Sequence, residues 1–132
     1  MYLLDTNICI YAINGRHPKL TEHLLSIPPS QIYISSITIG ELEYGAAKSH
    51  WGERTRQTIR AFLASFDPLP FTADHAIVFG QQRALLASKG IPIGVLDLMI
   101  ASQGLSNKLK VVTHNTREFS RIEGLQLEDW AE

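Results

Sequence analysis

Leu3-Leu4-Asp5-Thr6-Asn7, followed at once by Ile8-Cys9-Ile10-Tyr11, is the stretch on which the reading of the whole chain turns. Tyr2 to Leu4 is a short apolar run suited to a buried strand, Asp5 stands where it ends, and Thr6-Asn7 opens a helix. In an open α/β sheet, ligands bind beyond the carboxyl ends of the strands. Asp5 therefore occupies a position where a site is built. The competing structural role is that of a helix cap, which aspartate also performs well. The first stretch alone leaves these two roles evenly balanced, and the decision rests on how many other carboxylates occupy equivalent positions.

The rest of the chain repeats the pattern of short apolar runs alternating with helical periodicity. Pro18 is suited to open a helix, and Leu20, His23, Leu24 and Ile27 recur at helical spacing before Pro28-Pro29-Ser30. Ile32–Ser35 reads as a second strand, and a helix from about Thr38 to Ser49 follows it. His50-Trp51-Gly52 interrupts, and Glu53 to Ser65 resumes as an amphipathic helix with Ile59, Phe62 and Leu63 on one face and Arg54, Arg56 and Arg60 on the other. Leu69-Pro70-Phe71 fits an edge strand or connector, because proline is confined to such places. Thr72 can cap a helix over Ala73 to Ser88, closed by Gly90. Val95-Leu96-Asp97-Leu98-Met99-Ile100-Ala101 is apolar on nearly every side, as a buried helix is. Lys110–Thr113 supplies another strand and Leu125–Leu127 a possible last one. Strands alternating with helices argue for an α/β domain, a parallel sheet covered on both faces.

Composition narrows the classes. At 132 residues with 45% hydrophobic content, the chain fits one domain spanning 1–132. Cys9 is the only cysteine, so neither a disulfide framework nor a cysteine zinc cluster is available. The N-terminus lacks the basic region of a signal peptide, and no stretch approaches the ~20 apolar residues of a membrane span. These features predict a cytoplasmic protein without a membrane partner. The net charge of −1 argues against a generally basic nucleic-acid binder, but acids bound to metal do not meet a partner as bare charges.

Asp5, Glu41, Asp97 and Glu118, with Asn115, form the candidate constellation. Thr38-Ile39-Gly40-Glu41 and Asn115-Thr116-Arg117-Glu118 also fit capping boxes, which would give Glu41 and Glu118 structural roles. Asp97 is harder to assign structurally, since a carboxylate among Leu96, Leu98, Met99 and Ile100 is costly to bury without a partner. No lysine or arginine lies within a helical turn of it. Carboxylates brought together repel and raise one another's pKa. Divalent cations relieve that repulsion, and oxygen ligands select hard ions such as Mg²⁺ or Mn²⁺. Such a site suits phosphodiester hydrolysis, where one ion activates water and two can stabilise attacking and leaving oxygens together. The five histidines show no paired ligand spacing, and no phosphate-cradling Gly-x-x-x-x-Gly-Lys loop is present. Glu43 is turned away from Glu41 by its spacing on the helix.

At these residues the chain resembles the PIN-domain ribonucleases, in particular the VapC toxins of VapBC toxin–antitoxin pairs. The matching segments are Leu4-Asp5-Thr6-Asn7-Ile8, Ser35-Ser36-Ile37-Thr38 with Glu41 and Tyr44-Gly45, Pro92-Ile93-Gly94 with Asp97-Leu98-Met99-Ile100-Ala101, and Val112-Thr113 with Asn115-Thr116-Arg117-Glu118-Phe119. The resemblance implies a three-layer α/β/α PIN-like fold with a central parallel sheet of four to five short strands. It implies Mg²⁺-dependent cleavage of structured RNA, tRNA above all, with Mn²⁺ as substitute. Asp5, Glu41, Asp97 and Glu118 match the family's metal-binding acids. Asn115 takes a catalytic position that many members fill with aspartate, and its neutral amide weakens a second metal position. Thr113 and Asn7 fall where substrate is positioned. A VapB-type antitoxin, a homodimer, and contact with DNA only through the antitoxin complete what the resemblance implies. The same acids could serve a DNA nuclease. A haloacid-dehalogenase-type phosphatase would want a second aspartate where Asn7 stands, and a non-catalytic RNA-binding protein would not need Asp97.

Overall fold

The computed structural model describes residues 1–50 and 52–132, and its organising feature is a five-stranded, wholly parallel sheet. The strands are β1 (Tyr2–Leu4), β2 (Ile32–Ser35), β3 (Asp67–Leu69), β4 (Lys110–Val112) and β5 (Leu127–Glu128), in spatial order β3-β2-β1-β4-β5. The helices are α1 (Thr6–Asn14), α2 (Pro18–Ser26), α3 (Ser36–Lys48), α4 (Gly52–Leu63), α5 (Ala73–Ser88), α6 (Val95–Asn107) and α7 (Thr116–Phe119).

Alternation along the strands divides the core into two layers. Leu4, Ile32, Ile34 and Val112 face one way, onto Ile8, Cys9, Leu20, Leu42, Ala46 and Ile59 of α1–α4. Leu3 and Val111 face the other way, onto Leu86, Leu98, Ile100, Ala101 and Phe119 of α5–α7. Leu3, Leu4, Val111 and Val112 are all fully buried, each contributing ~1.5–3 kcal/mol relative to exposure. This is the three-layer α/β/α arrangement, and among the described residues no helix is long and apolar enough to cross a membrane.

Several local expectations shift. The edge strand lies at Asp67–Leu69, not at Leu69–Phe71, because its register sets Tyr33, Ile34 and Ser35 opposite Asp67, Pro68 and Leu69. Pro68 is tolerated there because one side of an edge strand needs no donor. The last strand is likewise moved to Leu127–Glu128, where Val111 and Val112 find their partners. Helix α3 begins at Ser36, with Ser35 as its cap accepting from the Ile37 N–H at 3.0 Å. Thr38 is therefore inside the first turn, and its expected capping box with Glu41 does not form. Helix α6 is buried at Leu98 and from Ile100 to Gly104, but Val95 and Leu96 at its start are exposed. The break after α3 runs through Ser49 and His50 to Gly52; Trp51, part of the expected break, lies outside the described residues.

Thr72 caps α5 as expected, in a reciprocal arrangement with His75. The Thr72 N–H donates to His75 Nδ1 at 2.9 Å, so Nε2 carries the ring proton and donates to Asn107 Oδ1 at 2.8 Å. This buried ring joins the start of α5 to the end of α6.

Gly104 marks the closest approach of α6 to the sheet. A Cβ there would stand 2.4 Å from Val111 Cγ2 and 3.3 Å from Leu125 Cδ1. Gly104→Ala is expected to lower stability by ~1–3 kcal/mol, read as a lower urea midpoint with unchanged slope. A variant as stable as the parent would show that Val111 yields without cost.

Candidate active site

β1 has β2 on one side and β4 on the other, so the crossover connections leave it in opposite directions. The crevice beyond the ends of β1 and β4 is thus the switch point of the sheet, where ligands bind in open α/β folds. Asp5 follows β1 and Thr113-His114-Asn115 follows β4; the Asp5 N–H donates to Val112 O at 3.0 Å, tying the two strand ends together.

Asp5 fills the capping role that the sequence left open, and it does so from a place at the edge of the crevice. Its Oδ1 accepts from the Ile8 N–H at 2.9 Å, capping α1, and the residue is only 2% exposed. Burial raises its pKa most, hydrogen bonds from Thr113 and Ile8 oppose that rise, and the charges of Glu41 and Asp129 add to it. The net direction is upward.

Asp97 lies on the first turn of α6, half-buried at the cleft. Its pKa is pushed up to about 6, first by burial and then by Asp5, Glu118 and Glu41. No cation enters that balance. The fold brings within electrostatic reach of one another four acids that are scattered over 114 positions in sequence, from residue 5 to residue 118.

Neutral donors hold these acids. Thr6 Oγ1 donates to Glu41 Oε1 at 2.6 Å, and because its only hydroxyl hydrogen is committed there, Thr38 Oγ1 donates to Thr6 across 3.0 Å. Asn115 Nδ2 donates to Glu118 Oε2 at 2.8 Å. The second expected capping box is therefore replaced, since the Asn115 side chain binds Glu118 and its backbone N–H goes to Thr113 Oγ1 at 2.9 Å. Asn7 is exposed one residue into α1.

Thr6 and Thr38 escape sequence reasoning as site residues; the only local signal was a hydroxyl directly after the first acid and another three residues before Glu41. Asp129 is a further acid at this end of the sheet, held by His114 Nδ1 at 2.9 Å and by the Ala131 N–H. Glu43, by contrast, is exposed and paired with Arg56 at 2.7 Å. The lone Cys9 thiol is buried and pushed well above its ordinary range, first by burial and then by Asp5, which makes it a poor nucleophile.

The donor set consists of carboxylate and amide oxygens, the chemistry that fits a hard divalent cation. Among the described residues no three acidic, histidine or cysteine side chains already converge as a finished cage. Glu41 is turned onto Thr6 and Glu118 onto Asn115, so an ion would be held by carboxylates that swing in upon it.

Fold and site together define a class, a doubly covered parallel α/β domain with an acid cluster at its switch point. Comparison with known proteins gives the family. The PIN domain family matches residues 2–125. The tRNA(fMet)-specific endonuclease VapC of Shigella flexneri is 43% identical over 130 residues, covering 98% of each chain. Among solved structures, the DNA-bound VapBC of Salmonella typhimurium superimposes with a TM-score of 0.92 at 43% identity, covering 98% of this chain and 97% of that one. VapBC2 of Rickettsia felis bound to a promoter DNA fragment gives 0.92 at 38% identity, covering 98% of each chain. The chain belongs to the PIN-domain family, in its VapC branch of toxin–antitoxin ribonucleases.

The raised pKa of Asp97 has a consequence for stability. Its folded-state proton is held more tightly than in the unfolded chain, so its stabilising contribution is complete below pH 3.8 and is lost as the pH rises to about 6. Asp97→Asn is expected to make the chelator-treated protein more stable than the parent near neutral pH, the advantage shrinking as pH falls through that window. Urea midpoints across the range measure this, and a variant less stable than the parent at neutral pH would contradict it.

Proposed function

We propose that this chain is a Mg²⁺- or Mn²⁺-dependent endoribonuclease of the cytoplasm that cuts an exposed loop of a structured RNA, with tRNA as the favoured substrate class. The observation that carries this reading is the mutual repulsion of Asp5, Glu41, Asp97 and Glu118 at the switch point, with no cation of the chain among them. The relatives named as ribonucleases, one of them for a tRNA, support the substrate class.

Asp5 and Asp97 are the innermost ligands in this proposal, and Glu41 and Glu118 complete the set. A divalent cation bound there would lower the pKa of a water and offset charge growing on the phosphate. The chain's own residues do the rest. Thr113 and the Ile8 N–H keep the Asp5 carboxylate in one orientation. Thr6 holds Glu41, and Asn115 holds Glu118, turned aside at the rim until an ion draws them in. Each of these donors is neutral, so it orients a carboxylate without cancelling the charge that attracts the ion. Asn7, exposed beside Asp5, positions the RNA backbone; Thr113, expected to do the same, is fully buried and acts only through Asp5 and the Asn115 N–H. Water's oxygen bonds to phosphorus as the bond to the leaving ribose oxygen breaks.

Asp5→Asn and Asp97→Asn each remove one ligand charge while nearly keeping its shape. Both are expected to abolish cleavage of RNA oligonucleotides by a folded protein, and chelation is expected to abolish it in the parent, with Mg²⁺ or Mn²⁺ restoring it better than Zn²⁺. Cleavage by either variant at the parent rate, with contaminating nuclease excluded, sinks the assignment. Parallel assay on DNA oligonucleotides separates this reading from a DNA nuclease.

We further propose a VapB-type antitoxin as partner, with DNA reached only through it, in support of which the structural relatives were solved as VapBC pairs on DNA. A cluster of unpaired carboxylates attracts a guanidinium, which can bind two oxygens at once. An apolar hollow lined by Ile10, Ile13, Leu42, Ala46 and Ile59 adjoins Glu41 and suits the segment that carries such an arginine. Two toxin protomers pair through helices in the first half of the chain, where Leu25 of α2 is 81% exposed. Changing the antitoxin's arginine to alanine should weaken inhibition of RNA cleavage in a purified assay. Undiminished inhibition would refute the plug.

A further inference from the structure

Beside the acid cluster, between the length of α3 from Ser36 to Tyr44 and the start of α6, runs a groove lined by Ser36, Ile37, Gly40, Glu41, Tyr44 and Leu96. Glu41 belongs both to this groove and to the acids. The remaining walls are largely hydrocarbon, and their largest members are exposed: Tyr44 by 66% and Leu96 by 46%. Single exposed apolar residues need no explanation, but these form a continuous surface that leads to the site.

The helix geometry gives Tyr44 two different neighbours. Helical side chains tend to lean toward the N-terminus, and Tyr44 shares the groove with Gly40, one turn before it. A Cβ at Gly40 would meet nothing within 4 Å, which leaves the space beside the ring open. One turn further on, the Lys48 ammonium stands 4.9 Å from the ring centroid. The ring therefore has an open slot on the side that leads to Glu41 and a cation on the side that leads away.

We infer that this groove seats the nucleobase next to the scissile phosphate, stacked on the Tyr44 ring, with Lys48 meeting the phosphate beyond it. The inference rests on the ribonuclease reading and deepens it. An aromatic platform beside a cation is how proteins hold single-stranded nucleic acid without reading hydrogen-bond edges. A base in a duplex has both faces covered by its neighbours, so only an unpaired or splayed base can enter. The groove thereby selects a loop over a helix, and it does so through Tyr44, a residue outside the acid constellation. Its physical role is positioning: the stacked base fixes where the backbone crosses the carboxylates.

The probe is a fluorescein-labelled RNA hairpin with an unpaired loop, compared with a fully paired RNA duplex of the same length. Binding is measured by anisotropy with Mg²⁺ present, on the full chain carrying Asp97→Asn so that the RNA stays intact. Adding Tyr44→Ala is expected to weaken hairpin binding roughly 5- to 150-fold, the range for loss of one base–aromatic stack. Tyr44→Phe should keep the parent affinity, and duplex binding should be the same for all variants. Gly40→Leu, which fills the slot without removing a polar group, should weaken hairpin binding as Tyr44→Ala does. Unchanged hairpin affinity in Tyr44→Ala, or equal losses in Tyr44→Phe and Tyr44→Ala, overturns the inference. A loss accompanied by a change of oligomeric state in light scattering also overturns it, because the groove then belongs to a second copy of the chain. If the Asp97→Asn chain itself cuts the hairpin at the parent rate, the ribonuclease reading fails first and this inference falls with it.

Discussion

Parallel pairing of β1 with β2 on one side and β4 on the other is the constraint from which the site follows. Parallel strands run in one direction, so all five C-terminal ends open on the same edge of the sheet. The reversal of winding at β1 and β4 leaves a crevice there that no crossover helix can fill. Asp5 and the Thr113–Asn115 segment lie on that edge because they are the next residues after buried apolar strands. Leu3-Leu4 and Val111-Val112 could not slip by one residue without exposing one core layer and burying polar neighbours in its place. The register that packs the core therefore also aims the acids.

Holding four carboxylates together costs the fold stability, and the form of the compensation is informative. A lysine or arginine among them would relieve the repulsion but also fill the place proposed for a divalent cation. The chain uses hydroxyls, an amide and a backbone N–H instead: Thr38 to Thr6 to Glu41, Asn115 to Glu118, Thr113 and Ile8 to Asp5. Neutral donors restrict orientation while the net charge stays in place. The upward shift at Asp97, caused first by burial and then by Asp5, Glu118 and Glu41, is in keeping with a charge left uncompensated. Strain of this kind at one site, set against a well-packed remainder, is the usual relation between stability and function.

The sequence reading succeeded where short-range rules decide the outcome. Apolar runs marked β1, β2 and β4, Pro18 opened α2, and the expected α/β/α layering follows from the alternation of those runs with helices. It erred where long-range contacts override a local motif. Thr38-x-x-Glu41 and Asn115-x-x-Glu118 both look like capping boxes, yet Glu41 takes its hydrogen bond from Thr6, thirty-five positions away, and Ser35 caps α3. The apolar start of α6 misled in the other direction: Val95 and Leu96 have the composition of a core but line or border an open groove. No periodicity argument separates an apolar residue that packs inward from one that faces a cleft. Asp5 escaped this conflict because the cap it forms and the site role proposed for it demand the same position.

The precision of Asp97 needs its own account, since it stands on an exposed first helical turn at the edge of the cleft. Helix α6 is fixed to the sheet by Gln103, a fully buried amide six residues further along. Its Oε1 accepts from Ser35 Oγ, and its Nε2 donates to Leu69 O at 3.0 Å. One side chain thus bonds to the last residues of β2 and β3 together. Apolar packing alone would allow α6 to slide or rotate slightly against the sheet, because dispersion contacts have little directionality. A buried amide with both ends satisfied does not allow this, since any slip leaves a polar group without a partner at ~1–3 kcal/mol. The six helical steps from Asp97 to Gln103 span about 9 Å of rigid helix. The polar link is dry and distant from the chemistry, and it gives an acid at the water's edge a position set by the core.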